Sequence, residues 1–276
     1  MTSFLKILSL FLITGLVVFI AAYIYNGPRK TTSVQTSAGK EDNTGQPIKN
    51  SEITLPILMY HYIRNFQDPN DKIGTDLSVS PDNFNQQMAY LAKQGWQTVS
   101  LEDLANYFES GKTINPKSVI ITFDDGYADA YQNALPLLEK YKFKATFFII
   151  TGKVEKPGYL SWSQIAELAK AGMEIGSHSV SHLDLSKLDT DKARVEIYNS
   201  KITLEEKLNL KITAFCYPSG AFDDETIQLV KNAGYQTAVT TVNSKEQTKE
   251  NIYKLKRIRV AGSESIASFE KSILLE

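Results

Sequence analysis

The sequence predicts an α/β domain built as a distorted (β/α)7-type barrel. From about residue 52 onward, short apolar runs alternate with amphipathic stretches, which is the pattern of a parallel sheet with helical crossovers. Roughly seven strand–helix units follow one another, and this number suits a closed or nearly closed barrel better than an open sheet. In such barrels the reactive side chains collect where strands end and loops begin.

Two segments precede the predicted barrel. Residues 1–26 are interpreted as a membrane anchor or signal segment, because Ile7–Tyr25 is a mainly apolar run with no charged residue. At ~1.5 Å rise per residue this run just crosses a bilayer core of ~30 Å. The small residues Ala21 and Ala22 are followed by the bulky residues 23–25, which is a poor match to a signal-peptide cleavage site. We therefore expect a single uncleaved transmembrane helix. Secretion after cleavage is the alternative.

Residues 27–51 are interpreted as a flexible spacer, because they are rich in Thr, Ser, Gln, Gly and Asn and poor in large apolar residues. The basic residues do not fix the orientation of the anchor, since Lys6 lies on one side and Arg29 and Lys30 lie on the other. Because only residues 1–6 precede the apolar run, we nevertheless expect an anchor that holds the C-terminal domain on the outer side of the cell membrane.

The strand candidates of the barrel are short apolar runs bounded by polar or turn residues. They are Leu55–Tyr60, Trp96–Val99, Ser118–Phe123, Ala145–Ile150, Met173–Gly176, Ala214–Tyr217, Thr237–Thr240 and Lys256–Val260.

The helix candidates lie between these strands, and several carry start signals. Ser80 precedes Pro81 as N-cap and first-turn proline, and Ser100 opens a Ser-Leu-Glu-Asp capping-box pattern. The candidates are Pro81–Lys93, Leu101–Glu109, Tyr127–Tyr141, Trp162–Ala171, Thr190–Leu208, Asp223–Ala233 and Ser265–Leu274.

The overall composition excludes some classes of function. The 276 residues include 30 basic and 31 acidic side chains, so there is no concentrated positive charge of the kind that nucleic-acid binding requires. The single cysteine, Cys216, cannot form an intramolecular disulfide. We therefore expect no nucleic-acid partner and a fold held by its core; the sequence does not identify a protein partner.

Three sites at predicted strand ends carry the candidate chemistry. The first is the apolar strand that runs into Asp124 and Asp125 and then into a glycine, which permits a tight turn. Two adjacent carboxylates repel each other, so a cation favours both in the ionised form. An ordinary surface turn is the alternative for this motif alone.

The second site is the pair His178 and His182, which at a spacing of four can share one face of a helical turn and grip one metal ion. With one carboxylate from the first site they form a His₂Asp ligand set that leaves a coordination position open, as in catalytic zinc sites. Two unrelated surface histidines are the alternative.

The third site is His61, at the end of the first predicted barrel strand. A lone histidine there is a structural residue or a catalyst, and its place on the same rim keeps both readings open.

A fourth segment, Phe215–Gly220, is again a strand that runs into a turn, where Pro218 and Gly220 allow a sharp reversal.

These segments together resemble carbohydrate esterase family 4, the polysaccharide deacetylases with a NodB-homology domain. Thr122–Gly126 is similar to the family motif T-F-D-D-G, and His178–His182 is similar to its H-[ST]-x-x-H motif. The resemblance spans roughly residues 55–260 and implies a catalytic domain over residues 52–276.

The resemblance also implies roles for these residues. Asp124 would be the general base, and Asp125, His178 and His182 would hold a divalent metal, with zinc preferred and cobalt, nickel or manganese as substitutes. The oxyanion would be stabilised by the metal and by a backbone N–H near Tyr217, in the turn that contains Pro218 and Gly220. Asp129 is a candidate for a supporting role behind the site.

Two departures from the family pattern stand out. The third motif often reads Arg-x-Pro-Tyr, whereas the matching stretch here begins at Cys216, so the arginine that orients the base is expected to be missing. No histidine follows His182, so the usual late general acid is absent as well. The branch that deacetylates poly-β-1,6-N-acetylglucosamine has an early Met-Tyr-His segment and a Phe-x-[Tyr/Trp]-Pro-x-Gly motif, and both occur here. By that resemblance His61 becomes the candidate acid.

The preferred functional hypothesis is therefore the removal of N-acetyl groups from a poly-N-acetylglucosamine-type exopolysaccharide. Peptidoglycan, chitin-like polymers or acetylated xylan are alternative substrates, since loops set the substrate. A non-catalytic glycan-binding module, with aromatic side chains such as Tyr62, Tyr159 and Trp162 stacking on sugars, is a hypothesis from a different class. The expected partners are thus a polysaccharide and, through the N-terminal helix, a membrane.

Overall fold

The computed structural model describes residues 51–274. The predicted membrane anchor, residues 1–26, lies outside the described residues, and so does the predicted spacer, residues 27–51, apart from its last residue. Within the described part of the chain, none of the helices has the length and apolar character that crossing a membrane requires.

The strands are β1 (Glu52–Thr54), β2 (Ile57–Tyr60), β3 (Tyr62–Ile63), β4 (Ser78–Val79), β5 (Gln97–Thr98), β6 (Ser118–Phe123), β7 (Thr146–Ile149), β8 (Glu174–Ser177), β9 (Ala214–Cys216), β10 (Thr237–Val239), β11 (Glu246–Thr248) and β12 (Ile258–Arg259). The α-helices are α1 (Lys72–Asp76), α2 (Pro81–Lys93), α3 (Leu101–Ser110), α4 (Leu135–Tyr141), α5 (Trp162–Lys170), α6 (Thr190–Leu208), α7 (Asp224–Asn232) and α8 (Ile266–Ile273). A π-helical turn, Ala130–Ala134, runs directly into α4.

The main sheet is parallel and curled. Its strand order is β10-β9-β8-β7-β6-β2-β12, and β5 pairs with the start of β6. An isolated parallel bridge joins Val239 in β10 to Leu255, three residues before β12. The two edges of the sheet therefore approach each other, as the prediction of a distorted, nearly closed barrel requires.

Alternation along the strands divides the core into an inner and an outer part, because successive side chains of a strand point to opposite faces. The inner cluster contains residues of five strands and the apolar face of α3: Ile57, Ile120, Phe148, Cys216, Val239, Leu101 and Phe108. Sequence neighbours such as Leu58 and Ile121 belong to the other cluster, which packs under the surrounding helices. Both faces of β6 are buried as a result, which explains its unbroken apolar sequence.

The same alternation explains the small residue Gly176 in β8. A Cβ atom there would lie 2.5 Å from ring carbons of Phe148. The phenylalanine ring fills the space inside the barrel, so only glycine fits at this position of β8. His178 lies two residues after Gly176, immediately beyond the end of β8, and therefore also points inward.

Candidate metal centre and catalytic cleft

The predicted site residues meet at the carboxyl ends of the strands. His61 follows β2, Asp124 follows β6 and His178 follows β8. Each lies an even number of residues after an inward-facing position of its strand (Ile57, Ile120 and Gly176), so each side chain points toward the barrel axis. The three side chains line one cavity of about 230 Å³.

Asp125 turns back toward this cavity because its backbone is left-handed, with φ of 73°. Aspartate adopts this region more readily than most residues, although the conformation is uncommon. Its Oδ1 lies 3.3 Å from Nε2 of His178 and 3.5 Å from Nε2 of His182. One carboxylate oxygen thus faces both imidazole nitrogens, and the structure brings the three predicted ligands together.

The expectation of a helical turn between the two histidines was wrong. Ser179 has φ of 62° and His182 has φ of 59°, so the segment is a loop with two left-handed residues. The rings still meet, with centroids 4.7 Å apart. Left-handed non-glycine residues cost free energy and persist where the surroundings hold them.

Glu196 of α6 holds this loop. Its Oε2 accepts hydrogen bonds from the backbone N–H groups of Val180, at 3.0 Å, and Ser181, at 2.7 Å. The N–H of His182 donates to Oγ of Ser179 at 2.9 Å. A mostly buried carboxylate therefore fixes two of the three residues that lie between the histidines.

A backbone carbonyl orients the ring of His178. Its Nδ1 lies 2.8 Å from the carbonyl oxygen of Cys216. A carbonyl only accepts, so Nδ1 carries a proton, and Nε2 is the nitrogen that faces Asp125. This is the arrangement in which a histidine binds a metal through one nitrogen and is fixed through the other.

The donor atoms fit a divalent ion. Oxygen and nitrogen ligands arranged tetrahedrally at about 2.1 Å from zinc lie roughly 3.4 Å apart. The two distances from Asp125 Oδ1 to the histidine nitrogens match this value, and the three ligand atoms all lie within 4.8 Å of one another. Asp125, His178 and His182 are therefore the residues that can hold a metal.

In a second grouping, possible ligand atoms of Asp124, His178 and Cys216 also lie within 4.8 Å of one another. Metal binding by cysteine requires the thiolate. Burial raises the pKa of the Cys216 thiol, and the neighbouring Asp124 carboxylate raises it further. The carboxylate of Asp124 is already paired with a cation, so this grouping is the poorer metal site.

That cation is Arg257, and the expectation that the orienting arginine is missing was wrong. Its Nη1 and Nη2 donate to Oδ1 and Oδ2 of Asp124, each at 2.7 Å. The remaining N–H groups are directed at Thr240 O, Thr122 Oγ1 and Cys216 Sγ. All five donors of this fully buried guanidinium therefore have an acceptor.

The pairing sets the protonation state of Asp124. Burial acts to raise the pKa of this carboxyl, but Arg257 outweighs burial and holds the pKa of Asp124 well below its usual range. Asp124 therefore stays an anion although it is 3% exposed.

His61 lies beside this anion. Its Nε2 is 3.9 Å from Oδ2 of Asp124, and 13% of its side chain is exposed. Burial lowers the pKa of His61, while Asp124 and Asp125 act to raise it. The cleft thus contains an anionic carboxylate next to a histidine that can carry a proton.

The turn after β9 forms another wall of the cleft, through Tyr217, Ser219 and Gly220. The backbone N–H of Tyr217 donates to Val239 O at 3.2 Å, and that of Gly220 donates to Tyr217 O at 2.8 Å. Pro218 has no N–H. The expectation of an oxyanion donor near Tyr217 therefore shifts to Ser219, which has φ of 57°.

Asp129 lies behind the cleft and contacts its first strand segment. Its Oδ1 accepts from the backbone N–H of Ile63 at 3.2 Å, and Asn133 Nδ2 donates to the carbonyl of the same residue at 2.7 Å. Asp129, just before the π-helical turn, and Asn133 within it thus fix the backbone two residues after His61.

Sequence reasoning missed Arg257 and Glu196 as parts of the site. Arg257 was visible as a charged residue within the predicted strand Lys256–Val260, where a buried and unpaired cation would be costly. Glu196 gave no such signal, because helix α6 carries many acidic residues.

Comparison with known proteins places these residues in context. Residues 111–238 match the family described as polysaccharide deacetylase. The Bacillus subtilis protein YxkH, assigned by name to the polysaccharide deacetylases, is 34% identical over 242 residues, which cover 87% of this chain and 83% of the relative. A poly-β-1,6-N-acetyl-D-glucosamine N-deacetylase of Staphylococcus aureus is 26% identical over 268 residues, covering 89% of this chain and 92% of the relative. The structure of the Streptococcus pyogenes deacetylase PplD in complex with acetate aligns with a TM-score of 0.75 at 32% identity, covering 82% of this chain and 99% of PplD.

Proposed function

Because the chain belongs to the polysaccharide deacetylase family, we propose that it is a metal-dependent enzyme that hydrolyses N-acetyl groups of a β-linked N-acetylglucosamine polymer. The products are acetate and a free amine on the sugar. One observation carries the proposal: a His₂Asp ligand set lies in the same cleft as an ionised aspartate and a histidine.

We assign the metal ligands as Asp125, His178 and His182. Zinc suits this set of one carboxylate and two imidazoles, and cobalt, nickel or manganese are substitutes. A bound divalent ion supplies Lewis-acid polarisation of the acetamide carbonyl.

The remaining residues move protons. Asp124 takes a proton from the attacking water as general base, and Arg257 keeps it anionic and oriented. His61 gives a proton to the leaving nitrogen, and its burial-lowered pKa makes the protonated ring a stronger acid. The N–H of Ser219 stabilises the negative charge that develops on the carbonyl oxygen.

The preferred substrate is a poly-β-1,6-N-acetylglucosamine-type exopolysaccharide. This choice is supported by the Staphylococcus aureus relative, which is named for that activity and aligns over most of both chains. The Met59-Tyr60-His61 segment supports it as well. Peptidoglycan, chitin-like polymers and acetylated xylan are the alternatives that a panel of acetylated glycans separates.

The place of action follows from the same proposal. The proposed substrate is an exopolysaccharide, which lies outside the cytoplasm, so we propose that residues 1–26 hold the enzyme in the cell membrane with its catalytic domain outside. Protease added to intact cells is expected to degrade the domain. Protection of the domain until the cells are lysed would contradict this placement.

The direct test is acetate release from acetylated β-1,6-glucosamine oligomers by the full-length protein, purified in detergent and loaded with zinc. Release is expected to be abolished by chelator and by Asp125→Ala. His61→Ala is expected to lower kcat by a factor of about 10² to 10⁴. The matched control is Asp191→Ala, which removes a carboxylate that is 88% exposed.

Two outcomes would contradict the proposal. Equal activity in Asp125→Ala and the wild type would refute the metal ligands. Oligomer binding without acetate release by the zinc-loaded wild type would favour a non-catalytic glycan-binding module.

A further inference from the structure

Arg259 is a charged residue of the catalytic cleft that takes no part in the chemistry described above. It lies in β12, and its neighbours Ile258 and Val260 are buried. The side chain of Arg259 is exposed and lines the same cavity as His61. It stands two residues after Arg257, so both arginines point toward the barrel axis, and Arg259 lies nearer the mouth of the cleft.

The guanidinium of Arg259 is unpaired within the described part of the chain. Among residues 51–274, its side chain forms no hydrogen bond, no ion pair and no contact with an aromatic ring. Asp124 is the one acidic residue among the described residues that line the cavity, and both of its carboxylate oxygens accept from Arg257. An arginine stays protonated in proteins. Arg259 is therefore a permanent positive charge without a carboxylate partner.

The other residues near the mouth of the cavity do not offset this charge. Ile73, Leu77, Ser219 and Thr241 line it as well, and none of them carries a charge. The cavity has a volume of about 230 Å³. A sphere of that volume is about 8 Å across, and over this distance two unit charges change an equilibrium constant about two- to sixfold at an effective dielectric constant of about 40–80.

The charge of Arg259 reaches the group that protonates the leaving nitrogen. Burial is the main cause that lowers the pKa of His61, and the charges of Arg257 and Arg259 act in the same direction. The nitrogen that receives the proton from His61 lies in the same cavity, so it is exposed to the same positive charge.

The proposed reaction changes the charge of the sugar that occupies this cavity. The N-acetyl group is neutral, and hydrolysis with one water gives acetate and a primary amine. An amine is mainly protonated at about pH 7, so each turnover adds one positive charge to the polymer. Poly-N-acetylglucosamine contains no anionic group, so the substrate offers Arg259 no ion-pair partner either. A fixed cation in the cleft therefore disfavours the product and leaves the neutral substrate unaffected.

We propose that Arg259 is a specificity-determining residue that separates acetylated sugars from deacetylated ones by charge repulsion. It weakens the binding of sugars with a free amine, so the product leaves the cleft readily and deacetylated stretches of polymer compete poorly for it. The inference rests on the proposed function and narrows its ligand class to the neutral, N-acetylated form of the polymer.

The test measures how fully deacetylated β-1,6-glucosamine pentasaccharide inhibits the zinc-loaded, full-length protein at about pH 7, with the acetylated pentasaccharide as substrate. The measured quantity is the ratio of the inhibition constant of the cationic pentasaccharide to the KM of the acetylated one. Arg259→Gln removes the charge, and the ratio is expected to fall about two- to sixfold. Arg259→Lys keeps the charge and is expected to keep the wild-type ratio.

The matched control is Lys93→Gln, which removes the same charge from an exposed position of α2 that does not line the cavity. Its ratio is expected to equal that of the wild type, so a general effect of net charge is distinguished from the effect of Arg259.

Ionic strength gives a second measurement, which a merely structural role of Arg259 would not affect. Between about 0.01 M and about 0.15 M, the screening length falls from about 30 Å to about 8 Å. Salt weakens the repulsion, so the wild-type ratio is expected to fall as salt is added. The difference between the wild type and Arg259→Gln is expected to shrink over the same range.

The outcomes separate this inference from the proposed function. A ratio in Arg259→Gln that equals or exceeds the wild-type ratio at low ionic strength would refute the role of Arg259 and leave the activity intact. An equal fall in Arg259→Lys and Arg259→Gln would overturn it too, because the charge would then not be the cause.

If the wild type releases no acetate from the acetylated pentasaccharide, the proposed substrate is wrong, and calorimetry with the same two pentasaccharides decides the role of Arg259. Tighter binding of the cationic pentasaccharide by Arg259→Gln than by the wild type would support charge repulsion. Equal binding by the two proteins would overturn it.

Discussion

At the residue scale, the ion pair between Asp124 and Arg257 dominates the site. Both side chains are almost completely buried, and two hydrogen bonds of 2.7 Å join them. A buried pair contributes little net stability, but the loss of one partner leaves an uncompensated charge. The pair therefore fixes Asp124 in one charge state and one orientation.

The first prediction concerns Arg257→Ala. The buried Asp124 carboxylate loses its cation, so the free energy of unfolding at neutral pH is expected to fall by about 3–5 kcal/mol. Urea denaturation measures the change. Arg259→Ala, two residues further along β12 and exposed, serves as control and is expected to stay within about 0.5 kcal/mol of the wild type. Equal losses in the two variants would contradict a special role for Arg257.

The second prediction is the pH dependence of that loss. In the wild type the pKa of Asp124 lies below its unfolded value of about 3.9, so the pair contributes stability above that pH and loses it as the pH falls further. In Arg257→Ala burial remains without the cation and raises the pKa of Asp124, so the variant gains relative stability as Asp124 takes up a proton. The difference between the two proteins is expected to be largest at pH 7 and to shrink toward pH 4. Urea titrations at both pH values test this, and a constant difference would contradict it.

The sequence indicated most of the site residues because alternation along three strands directs His61, Asp124 and His178 to one interior. It did not indicate the partner of Asp124, because Arg257 is distant in the sequence. The family pattern places the corresponding arginine in the third motif, where this chain has Cys216. The left-handed loop conformation of His178–His182 could not be predicted from the sequence motif either. Left-handed backbone at serine and histidine is imposed by contacts with α6, which a local motif does not contain.

At the element scale, the long helices were predictable and the short elements were not. Helices α2 and α6 have the predicted bounds, and an N-cap side chain, Ser80 or Asp189, defines the start of each. The antiparallel pair of β1 and β11 and the five-residue helix α1 were missed. Such short segments carry too few residues to show a period, and distant partners stabilise them.

The predicted helix Tyr127–Tyr141 contains a π-helical turn that its sequence pattern does not reveal. Pro136 cannot donate to the carbonyl four residues earlier, and the wide turn directly precedes it along the chain. The irregular turn contains Asn133 and follows Asp129, which together hold Ile63.

The third prediction concerns the clamp between α6 and the histidine loop. Glu196→Ala removes the acceptor of two loop amides, so zinc affinity is expected to fall about 10- to 100-fold. Competition with a chromogenic chelator measures the affinity. Glu206→Ala, which removes an exposed carboxylate of the same helix, is the control and is expected to bind zinc like the wild type. An unchanged affinity in Glu196→Ala would show that the loop holds its shape without the clamp.

At the scale of the whole molecule, the α/β class and the curled parallel sheet followed from the alternation of strands and helices. Seven of the eight predicted strands coincide with strands of the curled path, and the eighth, Trp96–Val99, coincides with β5 at its side. The sequence could not show how far the sheet closes, because the contact between Val239 and Leu255 depends on the curvature of all the strands between them.

The fourth prediction concerns metal and global stability. An ion that binds only the folded protein stabilises it by about 2.7 kcal/mol at a free concentration of 100 times its Kd. Chelator is therefore expected to lower the melting temperature of the wild type, and added zinc is expected to restore it. Asp125→Ala is expected to show neither response. An equal zinc-dependent shift in Asp125→Ala would place the ion elsewhere.

The position of Arg257 also has a consequence for when the enzyme becomes active. The arginine stands 133 positions after the aspartate that it orients, and a ribosome makes the chain from its N-terminus. A nascent chain that already carries both aspartates and all three histidines therefore still lacks the cationic partner of Asp124. If Asp124 needs this partner to act as the base, we expect a chain that ends before Arg257 to be inactive, so that the polymer is not modified before the barrel is complete.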